Sequence, residues 1–315
     1  MFGNMTRILR FALALALIFG GVRNVAANPA EWLTYKGRFG PGKGKRIVFL
    51  TGDEEYRSEE SMPAMARILA HRHGFHCTVL FSVNRENGEI DPAVVDNIPG
   101  LDSLKEADLL VVFTRFRHLP EDQMAKVVEY LNSGRPVIGV RTATHAFSGP
   151  AKTGDFKWAE FGLNILGEKW VNHHGNHKVE GTRGIIEMAN AKHEILNGVG
   201  EIFATTDVYG IANLDQNGAT ILLRGAVTET LKPDSKNIDG PKNNPMMPLA
   251  WLREYTAPNG TAKGKALCTT LGASEDFADE DLRRMIVNAA LFLTGQKVPE
   301  KADVGVIDPF NPTGY

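Results

Sequence analysis

Cysteine is scarce in this chain of 315 residues, since only Cys77 and Cys268 occur. Two cysteines are too few for the disulfide-dense scaffolds of small secreted domains, and a chain of this length does not need such cross-links. Both lie within apolar, strand-like runs, so we expect buried thiols that form neither a disulfide bridge nor a nucleophile. The sequence also lacks internal repeats, zinc-ribbon spacing and glycosidase-style spacing of acids.

Long hydrophobic runs are equally scarce, because only one is present and it lies at the N-terminus. Arg7 and Arg10 precede the apolar residues Phe11 to Phe19, and Val25-Ala-Ala27 provides a small-residue cleavage site. This pattern predicts a signal peptide over residues 1–27 and an exported protein, periplasmic or extracellular. The alternative is a membrane anchor, but the run is shorter than the roughly 20 residues that cross a bilayer. We expect no membrane contact after cleavage.

Neither sign of charge dominates, because 35 lysine and arginine residues oppose 37 aspartate and glutamate residues. The predicted leader contains three arginines and no acid, so its removal makes the chain more acidic. A mildly acidic chain binds polyanions poorly, and we expect no nucleic-acid partner. The apolar content of 43% is sufficient for a large core and indicates a globular protein of one large domain or two.

Strand-like runs alternate with helical patterns in the first half of the predicted mature chain. The strand-like runs are Arg46 to Thr51, Phe75 to Phe81, Asp108 to Phe113 and Pro136 to Val140, and the helical patterns are Ser58 to Gly74 and Asp122 to Leu131. Parallel neighbours need crossover connections, so this alternation predicts an α/β fold with a parallel sheet and helices on both faces. We predict a flavodoxin-like or Rossmann-like arrangement.

The second half of the chain gives more mixed signals. Strand-like runs cover Gly184 to Met188, Ala219 to Leu223 and Ala266 to Leu271, and helical patterns cover Trp158 to Leu166 and Glu280 to Leu293. The proline-rich stretch Leu231 to Pro248 is predicted to be a surface excursion, and the tail after Pro299 to be extended and exposed.

Polar residues are concentrated where three of the predicted strands end. The loops are Thr51-Gly-Asp-Glu-Glu-Tyr-Arg57, Thr114-Arg-Phe-Arg-His118 and Arg141-Thr-Ala-Thr-His-Ala-Phe147. Ligands of open parallel sheets bind outside the carboxyl ends of the strands, so these loops predict a site there. The acids of the first loop offer a general base or a ligand, or else a solvated loop that caps the next helix. Arg115 and Arg117 could clamp a carboxylate or sugar hydroxyls, or form ordinary salt bridges.

Histidines form the sharpest local cluster, with His173, His174 and His177 within five residues. Imidazole is a common ligand of zinc and similar ions, so a divalent metal bound by these three residues is one hypothesis. Acid/base or sugar-binding roles and ordinary surface histidines are the others. Gly175 and Asn176 favour a loop, and no HExxH pattern is present.

Aromatic residues provide a further set of candidates. Trp158, Trp170, Tyr209 and Trp251 could stack on pyranose rings, although such residues more often belong to a core. Asp207 and Tyr209 form the stronger pair, because residues two apart on a strand point the same way.

Gly139-Val-Arg-Thr-Ala-Thr-His145 resembles the strand-to-helix turn of the ThuA-like (trehalose utilisation) family. Further resembling segments are Trp158 to Gly162, Leu166-Gly167, Trp170 to His177, His193 to Val199, Thr206 to Tyr209, Pro248 to Trp251 and Thr270 to Ala273. The resemblance spans residues 45 to 295 and implies one domain with a class I glutamine amidotransferase-like fold. We place a signal peptide at 1–27, an extension at 28–45, the domain at 46–297 and a tail at 298–315.

The chain departs from the family pattern at the elbow of that turn. Amidotransferases would have cysteine, and the usual ThuA-like pattern would have histidine, where this chain has Arg141. Glutamine amidotransfer is therefore not expected, and His145 is expected to replace the lost imidazole. Ala273 replaces a late histidine, and Thr206 with Asp207 replaces an Asp-Glu pair.

The resemblance implies a small-molecule carbohydrate partner and a role in sugar metabolism. The first hypothesis is acid/base chemistry on a sugar or keto-sugar by an isomerase, lyase or hydrolase. Its expected catalytic residues are His145, His174, Asp53 and Asp207, and its expected substrate-binding residues are Arg141, Glu54, Tyr56, Arg115, His177, Tyr209 and Trp251. The alternatives are a non-catalytic carbohydrate-binding or interaction protein and a metal-dependent hydrolase. The sequence leaves a homo-oligomer open.

Overall fold

A computed structural model of the chain describes residues 32–315. The predicted signal peptide, residues 1–27, lies outside this range. Among the described residues, no helix is both long enough and apolar enough to cross a membrane.

The described chain contains twelve strands and three α-helices, numbered here in chain order. They are β1 (Trp32–Lys36), β2 (Arg46–Gly52), α1 (Ser58–His73), β3 (His76–Leu80), β4 (Leu109–Thr114), α2 (Glu121–Asn132), β5 (Val137–Val140), β6 (Lys152–Thr153), β7 (Phe156–Lys157), β8 (Thr182–Ile186), β9 (Ile202–Ala204), β10 (Thr220–Val227), β11 (Met247–Thr256), β12 (Lys263–Thr269) and α3 (Glu280–Leu293).

Ten strands form one sheet in the order β1-β3-β2-β4-β5-β12-β11-β10-β8-β9. The neighbours from β3 to β12 are parallel, whereas β1 and the strands beyond β12 pair antiparallel. The parallel part has the flavodoxin-like order 2-1-3-4-5. The predicted fold class is thus confirmed, and the antiparallel half is an extension that strand-by-strand patterns did not predict. Strands β6 and β7 form a separate hairpin.

Both faces of the parallel strands are buried, which explains why their sequences are continuously apolar. On β2, Ile47 and Phe49 belong to a core that includes residues of α1 and α3. Val48 and Leu50 point the other way and join a second core with residues of α2. Helices therefore cover both faces of the sheet, as the alternating pattern predicted.

Local signals explain where two of the helices begin and end. Helix α1 ends at Gly74, whose φ of 84° is a left-handed conformation that glycine adopts without steric cost. Helix α3 begins after Asp279, whose carboxylate accepts hydrogen bonds from the backbone N–H groups of Asp281 and Leu282.

One sequence-based prediction about local structure was refined and one was wrong. The segment Trp158 to Leu166 is helical, as predicted, but it consists of a 3₁₀ turn, Trp158–Glu160, followed by a single π-helical turn, Gly162–Leu166. Strand β9 ends at Ala204, so Asp207 and Tyr209 lie beyond it and do not share a strand. They nevertheless approach the same group, as described below.

The C-terminal tail is extended and mostly exposed, as predicted, but two of its residues are not. Ala302 and Val304 are buried. Their carbonyl oxygens accept hydrogen bonds from buried arginines of α3: Arg284 Nε lies 3.3 Å from the Ala302 oxygen, and Arg283 Nε lies 3.1 Å from the Val304 oxygen. These donors hold the segment against the domain although it has no regular secondary structure.

Candidate functional site

The carboxyl ends of β2, β4 and β5 meet at one edge of the sheet, where the strand order reverses on either side of β2. Such a topological switch point is where flavodoxin-like sheets bind ligands. A cavity of about 190 Å³ lies there, lined by Glu55, Tyr56, Arg115, Phe116, His145, Trp170, His173, His177 and Tyr209. The three polar loops noted in the sequence therefore do converge.

Backbone strain is concentrated around the same cavity. Within residues 32–315, the non-glycine residues with positive φ are Arg57 (59°), Phe116 (50°), Arg141 (46°) and Lys178 (60°). Phe116 lines the cavity, Arg57 and Lys178 adjoin lining residues, and Arg141 lies beneath it. Residues held in this unfavourable region cluster at functional sites, which supports the location independently of residue chemistry.

Arg141 lies under the floor of the cavity. Its side chain is fully buried, and Nη1 donates to the carbonyl oxygens of Asp207 and Thr270 at 2.7 Å each. Its guanidinium carbon lies 3.7 Å from the ring centre of Tyr209 and 4.7 Å from that of Tyr56. Arg141 was expected to bind substrate, but its burial instead makes it the residue that holds the floor together.

Asp207 connects this buried arginine with two histidines. Its Oδ1 accepts hydrogen bonds from Arg141 Nη2 at 3.0 Å and His177 Nδ1 at 3.1 Å, and its Oδ2 accepts one from His173 Nδ1 at 2.8 Å. Burial alone would raise the pKa of Asp207, but the His173 hydrogen bond and the Arg141 charge outweigh it and lower that pKa. Asp207 is therefore an ionised carboxylate with no exposure to solvent.

The charge on Asp207 determines the role of the His173 nitrogen that faces it. An ionised carboxylate only accepts hydrogen bonds, so Nδ1 of His173 carries the hydrogen. The second ring nitrogen, Nε2, has no hydrogen-bond partner within residues 32–315, and the ring lines the cavity. This is the arrangement of a carboxylate–imidazole pair in which the free nitrogen can accept a proton.

His177 lies between two carboxylates. Its Nδ1 is 3.1 Å from Asp207 Oδ1, and its Nε2 is 3.3 Å from Glu55 Oε1. The rings of His173 and His177 are 4.4 Å apart, centre to centre. The pair therefore forms one wall of the cavity.

His145 has a different environment. Its ring packs 4.7 Å from Phe116 and 5.7 Å from Trp170, centre to centre. Burial, together with the charges of Arg115 and Arg141, lowers the pKa of His145 to about 3. The imidazole is therefore neutral at neutral pH, when it can form hydrogen bonds but cannot donate a proton as an imidazolium acid.

Asp53 shapes the first loop and does not line the cavity. Its Oδ2 accepts a hydrogen bond of 2.6 Å from Thr142, and its Oδ1 accepts the backbone N–H groups of Glu55 and Tyr56. Burial raises the pKa of Asp53 to about 6. The expected catalytic residue is thus the group that directs Glu55 and Tyr56 towards the cavity.

Glu54, Arg115 and Arg117 form the salt bridges that were the alternative interpretation of these residues. Glu54 pairs with both arginines, and Arg115 also contacts Glu55 at 3.0 Å. Arg117 is 1% exposed, and its guanidinium also donates to backbone carbonyls, which leaves it structural. Arg115 lines the cavity and keeps a surface through which it can contact a ligand.

His174 and Trp251 lie outside the cavity, contrary to the expectation that they contact substrate. His174 lies next to His173, but its Nε2 is hydrogen-bonded to the carbonyl oxygen of Lys242 at 2.7 Å. Trp251 is fully buried, and its Nε1 donates to the Leu166 carbonyl at 2.8 Å. Trp251 is therefore a core residue.

The potential metal ligands also differ from the predicted set. Donor atoms of His173, His177 and Asp207 lie within 4.8 Å of one another, so the aspartate takes the place expected for His174. Two imidazoles and one carboxylate suit zinc or iron. The Arg141 guanidinium beside Asp207 opposes a cation there, because both positive charges compete for the same carboxylate.

Two residues near the cavity were not identified from the sequence. Phe116 stands between two arginines in a loop after a strand, and that position could have identified it. Tyr315 lies 5.7 Å from His177 and 5.0 Å from Tyr56, ring centre to ring centre. Nothing in its neighbouring sequence indicates this contact.

Comparison with known proteins is consistent with the sequence resemblance. The family model described as ThuA, trehalose utilisation, matches residues 46–293, from the first residue of β2 to the last residue of α3. Similar solved structures include a ThuA-like protein from Bacteroides uniformis, with 13% identity, a TM-score of 0.47 and coverage of 82% of this chain and 95% of that chain. Another is a ThuA-like protein from Parabacteroides merdae, with 17% identity, a TM-score of 0.47 and coverage of 82% and 94%.

No curated protein matches the chain. The family match covers well over half of its length and includes every strand of the parallel core. The chain belongs to the ThuA, or trehalose utilisation, family.

Proposed function

We propose that this protein catalyses proton transfer on a sugar or keto-sugar, with His173 as the proton acceptor and Asp207 as its partner. The observation that supports this most directly is the 2.8 Å hydrogen bond between His173 Nδ1 and the buried, ionised Asp207. The carboxylate keeps Nε2 available and stabilises the imidazolium that forms when a proton is taken up. Family membership supports a role in carbohydrate metabolism.

A keto-sugar is the substrate for which the reaction can be written with these residues alone. Nε2 of His173 removes a proton from the hydroxyl-bearing carbon next to the carbonyl; the electron pair of that C–H bond forms the C=C bond, and the π pair of the carbonyl moves to its oxygen. In isomerisation, the hydroxyl proton of the enediolate moves to the oxyanion, and the His173 imidazolium returns its proton to the former carbonyl carbon. In elimination, the C–O bond to a β-substituent breaks, and the His173 imidazolium gives its proton to the departing oxygen. Neutral His145 is suited to hydrogen-bond the developing oxyanion, as a neutral imidazole can act as an electrophile.

Aromatic residues at the cavity support a sugar ring as the ligand. Trp170 is 38% exposed and Phe116 is 43% exposed, and both rings flank His145. Aromatic faces of this kind provide apolar contact area beside polar groups. Arg115 and Glu55 are placed to hydrogen-bond hydroxyl groups at the same cavity.

Deuterium exchange tests the proposed reaction. Purified protein is incubated in D₂O with trehalose, glucose and their keto derivatives, and exchange at carbon and product formation are followed by NMR. We expect both with wild-type protein and the keto derivatives, none with trehalose, which has no carbonyl group, and a loss of at least about 100-fold in His173→Gln. His71→Gln, an exposed histidine on α1, is the control. Binding of sugars without exchange or product would contradict catalysis and favour the alternative of a carbohydrate-binding protein.

Metal-dependent hydrolysis is the second candidate, because His173, His177 and Asp207 can converge on one ion. Its test is elemental analysis after dialysis against zinc, manganese or iron(II), with His173→Gln as the comparison. About one equivalent of metal, lost in the variant, would support this candidate. Less than about a tenth of an equivalent, with no effect of chelators on activity, would contradict it.

We also propose that the protein is exported, on the basis of the leader pattern in residues 1–27. Expression of the whole chain in a Gram-negative host, followed by fractionation and N-terminal sequencing, tests this. A mature N-terminus near Asn28 in the periplasm is expected. Retention of Met1 on cytoplasmic protein would contradict export.

A further inference from the structure

The C-terminal segment, residues 298–315, runs along α1 and ends against two residues that line the cavity, Tyr56 and His177. Near its beginning, Arg72 of α1 donates to the Gly305 carbonyl at 2.6 Å, and His73 Nε2 is hydrogen-bonded to the Asp303 carbonyl at 2.7 Å. Arg67 forms a salt bridge with Asp308 further along. Polar contacts with α1 therefore accompany the segment towards the site.

Glu60 of α1 anchors the segment close to its end. Its Oε2 accepts the backbone N–H of Thr313 at 2.8 Å, and its Oε1 accepts the Thr313 hydroxyl at 2.6 Å. Burial opposes ionisation, but the Thr313 hydrogen bonds and one from Ser274 outweigh it and lower the pKa of Glu60. Glu60 does not line the catalytic cavity, so this anchor can be altered without changing a cavity residue.

Packing between these anchors is not continuous. A separate cavity of about 230 Å³ lies between α1 and the segment, bounded by residues of α1 and by residues 306–313. The position of the last residues therefore depends on a few polar contacts, and among those made with α1 the contacts of Glu60 with Thr313 are the nearest in sequence to Tyr315.

Tyr315 fills the space behind two cavity residues. Its ring lies 5.0 Å from that of Tyr56 and 5.7 Å from that of His177, centre to centre, and its hydroxyl donates to the Thr205 carbonyl at 2.8 Å. The ammonium group of Lys178 is 5.3 Å from the same ring centre. The ring therefore touches the loop after β2 and the histidine segment at once.

We infer that Tyr315 is a positioning residue, which holds His177 and Tyr56 in the geometry that the cavity requires. His177 has Asp207 and Glu55 at its two ring nitrogens, and these fix the ring edge while the Tyr315 ring limits its tilt. Lys178, next in the chain, has the strained φ of 60°, so this loop needs support from its surroundings to keep its conformation. The consequence for turnover rests on the proposed function, whereas the placement of His177 does not.

Three variants of the full chain test this inference. Tyr315→Leu removes the ring, Glu60→Ala releases the anchor at a distance, and Tyr315→Phe keeps the ring but removes the hydroxyl. We expect amide hydrogen exchange in residues 173–178 to rise about threefold or more in the first two and to stay near wild type in Tyr315→Phe. The NMR signals of the His177 ring, assigned with His177→Gln, should move in the same two variants only.

Two controls make the outcome decisive. His71→Gln lies on the same helix and should leave both signals unchanged, and melting temperatures identify any variant that fails to fold. If Tyr315→Leu and Glu60→Ala both fold with wild-type exchange in 173–178 and wild-type His177 ring signals, the positioning role is overturned. Where turnover is measurable, kcat should fall with little change in KM in those two variants. Loss of activity in His173→Gln tests the proposed function separately.

Discussion

Asp207 accepts a 2.8 Å hydrogen bond from His173 at one carboxylate oxygen and lies 3.0 Å from buried Arg141 at the other. The arginine was expected to contact substrate, since it is the first residue of the turn that follows β5. Its actual effect is indirect: it keeps the carboxylate ionised in a buried position, and the carboxylate in turn sets the tautomer of His173. In the proposed reaction, proton transfer at this edge of the sheet thus depends on a residue that lies beneath the cavity.

Asp207→Asn should separate charge from shape at this position. The amide has nearly the same volume as the carboxylate, but it is neutral and no longer fixes the hydrogen on Nδ1 of His173. We therefore expect kcat to fall about 10³- to 10⁴-fold. Arg141 would also lose its buried counter-charge, with a loss of about 3 kcal/mol in the free energy of unfolding. Steady-state kinetics and urea denaturation measure the two effects. Asp102→Asn, at an exposed position, is the control. Wild-type kcat in Asp207→Asn would contradict the carboxylate–imidazole pair.

His173 and His174 are adjacent in sequence, but their side chains lie in different environments. His173 lines the cavity, whereas His174 is hydrogen-bonded to the Lys242 carbonyl. We therefore expect His173→Gln to abolish deuterium exchange into the substrate, and His174→Gln to retain it and to lower the melting temperature modestly. The reverse result would restore the catalytic role that the sequence suggested for His174.

Phe116 offers a test of strain at the cavity, because its φ of 50° is unfavourable for any residue with a Cβ. Phe116→Ala and Phe116→Gly both remove the aromatic ring, but only glycine relieves the strain. We expect the glycine variant to be more stable than the alanine variant by about 1 kcal/mol. Both should bind sugars more weakly than wild type, measured by calorimetry. At Phe39, which is 79% exposed and has no positive φ, glycine should be the less stable of the two. If the glycine and alanine variants had the same order of stability at Phe116 and at Phe39, backbone strain at Phe116 would be contradicted.

Two neighbouring acids predict how stability depends on pH. Burial raises the pKa of Asp53 to about 6 and that of Glu59 to about 7, and Glu59 Oε2 is buried without a partner in the described chain. The folded state then binds more protons than the unfolded chain between about pH 4 and 7, so these groups lower stability as pH rises through that range. The pKa of His145 is lowered to about 3, so this residue makes stability rise with pH, opposite to the two acids. The His145 contribution is the same in wild type and in a variant of Glu59, so it cancels when the two proteins are compared.

Glu59→Gln isolates this effect because the amide oxygen can still accept the Asp53 N–H. At pH 8 we expect the variant to be more stable than wild type, by on the order of 1–2 kcal/mol, and the difference to vanish near pH 4. Denaturation curves at several pH values measure it. Glu86→Gln, on an exposed turn, should show no such trend. A variant less stable than wild type at pH 8 would contradict the raised pKa of Glu59.

The sequence by itself determined the features that depend on local periodicity. Alternating apolar runs and helical spacing predicted the parallel core, and the bounds of α3, Glu280–Leu293, agree with the prediction. The rule that ligands bind at the carboxyl ends of parallel strands located the cavity. Each of these follows from neighbouring residues, because the spacing of apolar side chains dictates which faces must be buried.

Only the tertiary structure decided how the candidate residues are combined. His173 and Asp207 are separated by 34 positions, and Tyr56 and Tyr315 by far more, yet each pair is in contact. Backbone direction in the irregular segment after Trp170 determined that His173 and not His174 faces Asp207. The position of Tyr315 was decided by the carbonyl and carboxylate contacts that bind its segment to α1 and α3. Loops and tails without periodicity carry no local signal for such contacts, which arise only when the whole chain is packed.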